Sequence, residues 1–167
     1  MAIVLDATAA GTDSNTYSTL AEAETYFESR LHKTDWSGET DADKNIALVW
    51  ATRLLDEQVD WVGVVWDDDQ ALRWPRSSVV DADGRDVTYD TIPQFLKDAT
   101  AELAMHLLAG DRVDDDDTRG FEVIQVGPIK LKINPFDRTP ILPPSVWSLI
   151  GPYGIQLRGV ARVLERV

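Results

Sequence analysis

Residues 41–60 read DADKNIALVWATRLLDEQVD, and they decide the fold class. Leu48, Ala51, Leu55 and Val59 recur at intervals of three and four, and Val62 continues the stripe. Trp50, Leu54 and Trp61 stand on its shoulder, while Arg53, Asp56, Glu57 and Asp60 supply the polar side. Apolar spacing of that period turns one face of an α-helix toward a core. A helix over about 42–60 is predicted, with Asp41 as its cap. Trp50 and Trp61, eleven residues or three turns apart, share a face of that helix and read as core or inter-helix packing.

Upstream, Thr19 and Glu22 have the spacing of a capping box, which predicts a helix over about 19–32. Leu20, Ala23, Phe27 and Leu31 would face the core. Residues 34–40 read as a loop, and residues 1–16 as an arm or short strand leading into the first helix. Downstream, residues 63–91 are irregular, with a strand-like piece near Val79–Val80 or Val87–Tyr89. Thr91-Ile92-Pro93 then opens a third helix over about 93–109, because proline's missing N–H costs nothing in a first turn. Ile92, Leu96, Ala99, Leu103 and Leu107 keep one face apolar, and Gly110 ends the helix.

Beyond the acidic run Asp114–Asp117 the period changes to two. Phe121, Val123 and Gln125 alternate with their neighbours, as do Ile129, Leu131 and Ile133 with Lys130, Lys132 and Asn134. That pattern predicts a β-hairpin or a pair of extended strands. The fold expected is mainly α: a small helical bundle of three to four helices with a C-terminal β-hairpin and an extended Pro-rich tail. Its parts are an N-terminal arm (1–16), a helical core domain (17–112), an acidic loop with the hairpin (113–134) and an extended C-terminal arm (135–167).

The Pro-rich stretch combines Pro135, Pro140, Pro143, Pro144 and Pro152 with many apolar residues. Its prolines argue against a regular packed helix, although a helical turn at 145–150 fits. An apolar segment without its own core wraps its domain or docks on a neighbour, and docking is the preferred reading. Ile141, Leu142, Pro143, Pro144, Val146, Trp147, Leu149, Ile150 and Tyr153 are the candidate inter-subunit or partner interface. Trp74, Pro75 and Arg76 form a structural motif, in which the indole packs on the bundle, proline fixes a turn and Arg76 pairs with an acid of the same or the next subunit.

Composition restricts the chemistry. The chain has 167 residues, enough for one sizeable core, and 44% are hydrophobic, as in a globular protein. Twenty-nine Asp and Glu against 16 Lys and Arg give a formal charge of -13, opposite to the basic footprint of most nucleic-acid binders. There are no cysteines, so disulfides, zinc–thiolate sites and thiol nucleophiles are excluded. The start has neither a basic region nor a long apolar run and does not read as a signal peptide, and no stretch is long and apolar enough for a membrane span. His32 and His106 lack local partners for a triad or metal cluster, and His32 reads as a dipole contact at a helix C-terminus. Asp81-x-Asp83-Gly84 reads as a turn rather than a calcium loop. No catalytic, cofactor-binding or metal-ligating residues are assigned, and no enzyme activity or cofactor is expected.

Three stretches together resemble a known family. They are Asn15-Thr16-Tyr17-Ser18-Thr19-Leu20-Ala21-Glu22-Ala23 leading to Tyr26-Phe27, then Ala71-Leu72-Arg73-Trp74-Pro75-Arg76, then Ile92-Pro93. Over about residues 3–110 the chain resembles phage proteins labelled DnaT-like single-stranded-DNA-binding, similar in layout to head–tail connector and head-completion proteins. The resemblance implies a virion protein, made in the host cytoplasm, that forms a ring of about twelve copies at the head–tail junction. The partners implied are further copies of itself, the portal protein and a tail or nozzle protein, with genomic double-stranded DNA passing through unbound and no membrane involved. A net negative wall suits a channel through which DNA slides. The competing readings are a single-stranded-DNA-binding replication accessory protein, which needs a basic groove lined with aromatics, and an enzyme of unrecognised type.

Overall fold

The computed structural model describes residues 3–113, 123–126, 129–132 and 140–157, the two short middle stretches by backbone alone. Within them the chain is mainly helical. In chain order the elements are α1 (Leu20–Glu28), α2 (Thr34–Ser37), α3 (Asp41–Gln58), β1 (Val59–Trp61), β2 (Val64–Val65), β3 (Arg76–Ser77), α4 (Gln94–Ala109), β4 (Val123–Val126), β5 (Ile129–Lys132), α5 (Pro144–Ile150), a 3-10 turn (Gly151–Tyr153) and β6 (Gly154–Gln156). No helix among the described residues is long and apolar enough to cross a membrane.

α1 begins as its capping box requires. Thr19 Oγ1 accepts from Glu22 N, and Glu22 Oε2 accepts from Thr19 N at 2.8 Å. It ends at Glu28, four residues before the expected boundary. Lys33 Nζ donates to Phe27 O at 2.7 Å and His32 takes a left-handed φ of 55°, which turns the chain and leaves Leu31 exposed. His32 therefore lies past the helix end. The turn delivers Trp36, on the single-turn helix α2, against Phe27 with ring centroids 4.6 Å apart. The stretch expected to be a loop thus supplies one of the largest core side chains.

α3 is capped by Thr40 rather than Asp41: Thr40 Oγ1 accepts from Asp43 N at 3.3 Å. Ala47, Leu48, Ala51, Leu54 and Leu55 are buried, as the stripe predicts. The helix stops at Gln58, and Val59-Asp60-Trp61 continues as a strand with its outer two residues buried. Trp50 and Trp61 consequently do not share a face. Trp50 is 40% exposed beneath the Arg53 guanidinium, Trp61 is buried, and Val62 has left the core.

α4 is the central helix and packs on α1, α2, α3 and α5. Its middle, Ala99 to Met105, is wholly buried. β6 pairs antiparallel with β1, Trp61 opposite Gly154 and Val59 opposite Gln156. Gly154 is required by space, because a Cβ there would lie 2.4 Å from Val59 Cγ1. An aromatic series ties this sheet to α4. Trp61 meets Trp74 edge-on at 5.7 Å, Trp74 meets Phe95 edge-on at 5.6 Å, and Phe95 stacks on Tyr153 at 3.8 Å. β4 and β5 form the expected antiparallel hairpin, Val126 opposite Ile129. Residues 114–122, including the acidic run, and residues 135–139 and 158–167 of the expected arm lie outside the described residues.

The N-terminal stretch is a folded loop, not a strand or free arm. Asn15 accepts from Asp6 N and donates to Val4 O, both at 2.9 Å, and Ser14, Thr16, Tyr17 and Ser18 are buried. Tyr17 donates its hydroxyl to Asp56 on α3, and Asp56 also accepts from Arg73 N, so one carboxylate joins this loop to the segment before β3.

Candidate functional site

The residues expected to form an intermolecular interface belong largely to this chain's own core. Leu142, Val146 and Ile150 are 3% exposed or less, and Pro143 is buried beside them. Ile141, Trp147, Leu149 and Tyr153 are half-buried against the same cluster, and Pro144 alone is exposed. The prolines do not prevent a helix, because Pro143 occupies the N-cap and Pro144 the first position of α5, where no intrahelical donor is needed. Val146 and Ile150, four residues apart, then face α4 together. Over 144–156 the expected extended arm is instead a helix, a turn and a strand.

Trp74, Pro75 and Arg76 sit at a tight corner of the chain, and among the described residues Arg76 meets carbonyls rather than an acid. The Trp74–Pro75 peptide is cis and both residues are buried. The Arg76 guanidinium donates through Nε to Val62 O at 2.7 Å, through Nη2 to Gly63 O at 2.7 Å and Trp61 O at 3.3 Å, and through Nη1 to Arg73 O at 3.2 Å. A planar fork suits several converging carbonyls, where the point charge of a lysine does not. This clamp fixes the corner between β1 and β2, where Gly63 turns at a left-handed φ of 78°.

The clamped corner presents a surface within the stretch expected to be irregular. β2 pairs antiparallel with β3, Val64 opposite Ser77 and Val65 opposite Arg76. Both faces of this two-stranded ribbon are open, so Val64 and Val65 are both exposed. Trp66 follows, 46% exposed, with its ring 4.4 Å from that of Tyr89, itself 51% exposed. Val62 and Val80 are exposed beside them in sequence. Acids flank this apolar ridge along the chain: Asp67, Asp68 and Asp69 after Trp66, and Asp81, Asp83, Asp86 and Asp90 around Val80 and Tyr89. Asp81 organises the turn expected there, its Oδ1 accepting from Asp83 N and Arg85 N at 2.9 Å. The local signal was the run Val62-Gly63-Val64-Val65-Trp66, a glycine-hinged apolar stretch that joins neither helical stripe.

A second cluster is buried. Glu102 on α4 is 1% exposed. Arg30 Nε and Nη2 donate to its two oxygens at 2.7 and 2.6 Å, and the Tyr26 hydroxyl donates at 3.1 Å. One turn on, His106 Nε2 lies 3.6 Å from Glu102 Oε1 and 3.1 Å from Ser145 Oγ on α5. Serine, histidine and glutamate together suggest a nucleophile, a base and its orienting acid. The geometry denies it: both partners meet the same ring nitrogen, so no proton passes across the imidazole, and Arg30 already engages the carboxylate. The group is a polar clasp joining α1, α4 and α5. Among the described residues no three His, Asp or Glu side chains are grouped to hold a metal ion.

The clasp shifts its members' ionisation. Burial pushes Glu102 upward, but Arg30 and the other donors outweigh it and hold the carboxyl below its usual range. Burial and the Glu102 charge push Tyr26 up to about 12. Burial holds His106 below its ordinary 6.5, against the pull of Glu102, with Arg112 and Arg30 adding to the depression and Asp35 opposing it. A base depressed in the folded state binds its proton more readily when unfolded. Its stabilising contribution is therefore complete above pH 6.5 and lost as pH falls from there toward the folded pKa. Replacing His106→Gln is expected to flatten the rise of stability with pH over roughly pH 5–7, measured by urea denaturation. An unchanged slope would assign that rise to other groups.

Most described cations are engaged within the chain. Of the nine Lys and Arg whose side chains are described, four pair with acids at 2.6–2.9 Å besides Arg30: Lys44 with Glu24, Arg53 with Glu57, Arg85 with Asp83 and Lys97 with Glu22. Lys33, Arg76 and Arg112 donate to backbone carbonyls. The remaining seven Lys and Arg fall in residues 118–167, against three acids there, while residues 1–117 hold nine against 26. The described surface therefore has an exposed aromatic pair but no basic track beside it. No curated protein and no solved structure matches the chain. A family model described as "Putative DnaT-like ssDNA binding protein" matches residues 1–161, nearly the whole length, and the chain belongs to that family.

Proposed function

We propose that this chain is an assembly protein, one subunit of an adaptor ring that docks below the portal at the head–tail junction of a tailed phage. The ring extends the DNA channel and gives the tail a platform. The apolar ridge of Val64, Val65, Trp66 and Tyr89 carries the reading, because it is held rigid by Arg76 and left uncovered on an otherwise acidic surface. Exposed apolar surface with a charged rim is characteristic of protein–protein contact. The paired cations and the surplus of acids suit a wall past which DNA moves without sticking.

The second reading is single-stranded-DNA binding. The family's description and the Trp66–Tyr89 pair favour it, since exposed aromatics are where bases stack. It requires cations beside the rings, and only the basic surplus of residues 118–167 is available to supply them.

Mixing the purified chain with the portal ring of the same phage, followed by light scattering and electron microscopy, tests both. One chain per portal subunit is expected, about twelve in all. A chain that ignores the portal yet binds an oligothymidine at physiological salt would replace the adaptor reading with the second.

A further inference from the structure

We infer that the β2–β3 ribbon receives residues 158–167 of a second copy of this chain. The inference rests on the assembly reading for its setting, but its contact is a separate one.

The ribbon offers two features to a partner. It is apolar along Val64, Val65 and Trp66, with open ladder edges on either side, and a two-stranded ribbon gains from a third strand or a covering segment. It is also acidic at its margins. From Trp66 through Asp90 stand seven Asp against Arg73, Arg76 and Arg85, and of these Arg76 is held by carbonyls and Arg85 by Asp83. A suitable occupant is apolar and basic.

Residues 158–167, RGVARVLERV, meet that description. Val160, Val163, Leu164 and Val167 are interleaved with Arg158, Arg162 and Arg166, and Glu165 is the one acid. The match is one of charge as well as apolarity, and it stands out in a chain where 29 acids outnumber 16 Lys and Arg.

The path of β6 selects the second copy over the chain's own ribbon. β6 starts with Gly154 beside Trp61, the end of β1 that leads to β2. It runs to Gln156 beside Val59, and Leu157 N donates to Gln58 O at 2.8 Å. The chain therefore leaves heading away from its own ribbon. Docking at home requires a full reversal, whereas docking on a neighbour follows the existing direction. Ten residues extend for up to about 33 Å, sufficient to cross to an adjacent subunit. Such a contact joins two different surfaces, so it propagates from copy to copy and closes as a ring or continues as a filament.

Two full-length variants test this. The first carries Val65→Asp and Trp66→Asp on the ribbon. The second carries Arg158→Glu, Arg162→Glu and Arg166→Glu. Val65 and Trp66 are exposed, and circular dichroism checks that each variant stays folded. Sedimentation velocity of the wild type is expected to show assemblies larger than a dimer that grow with concentration. Each variant alone is expected to associate about 30-fold more weakly, the size of a hot-spot loss. Mixed in equal amounts, the two variants retain one intact ribbon and one intact segment between them, and a complex of two chains that grows no further is expected. A mixture that stays monomeric overturns the inference, as does a segment variant that associates like the wild type. Portal binding enters none of these measurements, so loss of the adaptor reading and loss of this contact are separately visible.

Discussion

A chain ending at Pro140 is expected not to fold. Residues 141–157 supply Leu142, Val146 and Ile150 to the core, Tyr153 to the stack on Phe95, and β6 to the edge of β1. Burying each of the three aliphatic side chains is worth about 2 kcal/mol, roughly 6 kcal/mol together. Domains of this size are stable by only about 5–15 kcal/mol. Removal would also expose the buried face of α4 against which α5 lies. The single replacement Ile150→Ala is the measured form of the argument, with an expected cost of about 3 kcal/mol and a melting temperature lower by about 10 °C. Ile155→Ala, on β6 but 70% exposed, is the control and should cost under about 0.5 kcal/mol. If the shortened chain kept the melting profile of the whole one, the packing of α5 on α4 would be wrong, and the Pro-rich third would be an arm after all.

The difference between arm and core shows where the sequence was legible. The capping box at Thr19 and Glu22, the stripe of α3 and the apolar face of α4 are local patterns, and each produced the element it announced. The antiparallel pair β4–β5 followed from a period of two. What failed were readings in which the same residues serve two geometries. Val59 and Val62 continue a helical stripe, but Val59 and Trp61 also alternate around Asp60, and pairing with β6 favours the strand. Pro143 and Pro144 break a helix at its middle but start one at its end, and their position is decided by the core waiting for Val146 and Ile150. Within the chain Arg76 answers the demand for donors to the carbonyls of a tight corner, and those carbonyls have no signature in side-chain sequence. The exposed ribbon was illegible for a related reason. A valine or tryptophan is exposed only if nothing else covers it, and that is decided by the whole fold.

Glu102 is the largest single electrostatic commitment in the described core, and its two ends should respond differently to removal. The carboxylate is 1% exposed, whereas the Arg30 side chain is 29% exposed and can be rehydrated. Arg30→Ala strands a buried charge and is expected to cost about 4 kcal/mol at pH 7. Glu102→Ala releases Arg30 toward solvent and should cost less, about 2–3 kcal/mol, chiefly through the freed Tyr26 hydroxyl and the cavity. The pH dependence separates the two further. In the wild type Glu102 lies below its ordinary 4.5, so its contribution is present above that value and fades as pH falls through the folded pKa. Without Arg30, burial dominates and the carboxyl rises above its unfolded value, which reverses the sign: the Arg30→Ala protein should regain stability as pH drops and Glu102 takes up a proton. Urea denaturation from pH 5 to 8 would show the deficit of Arg30→Ala shrinking toward the acid end while that of Glu102→Ala holds, since the wild-type contribution of Glu102 fades only below pH 4.5. Equal deficits at every pH would mean that Glu102 is hydrated, and that the clasp between α1, α4 and α5 is looser than its hydrogen bonds require.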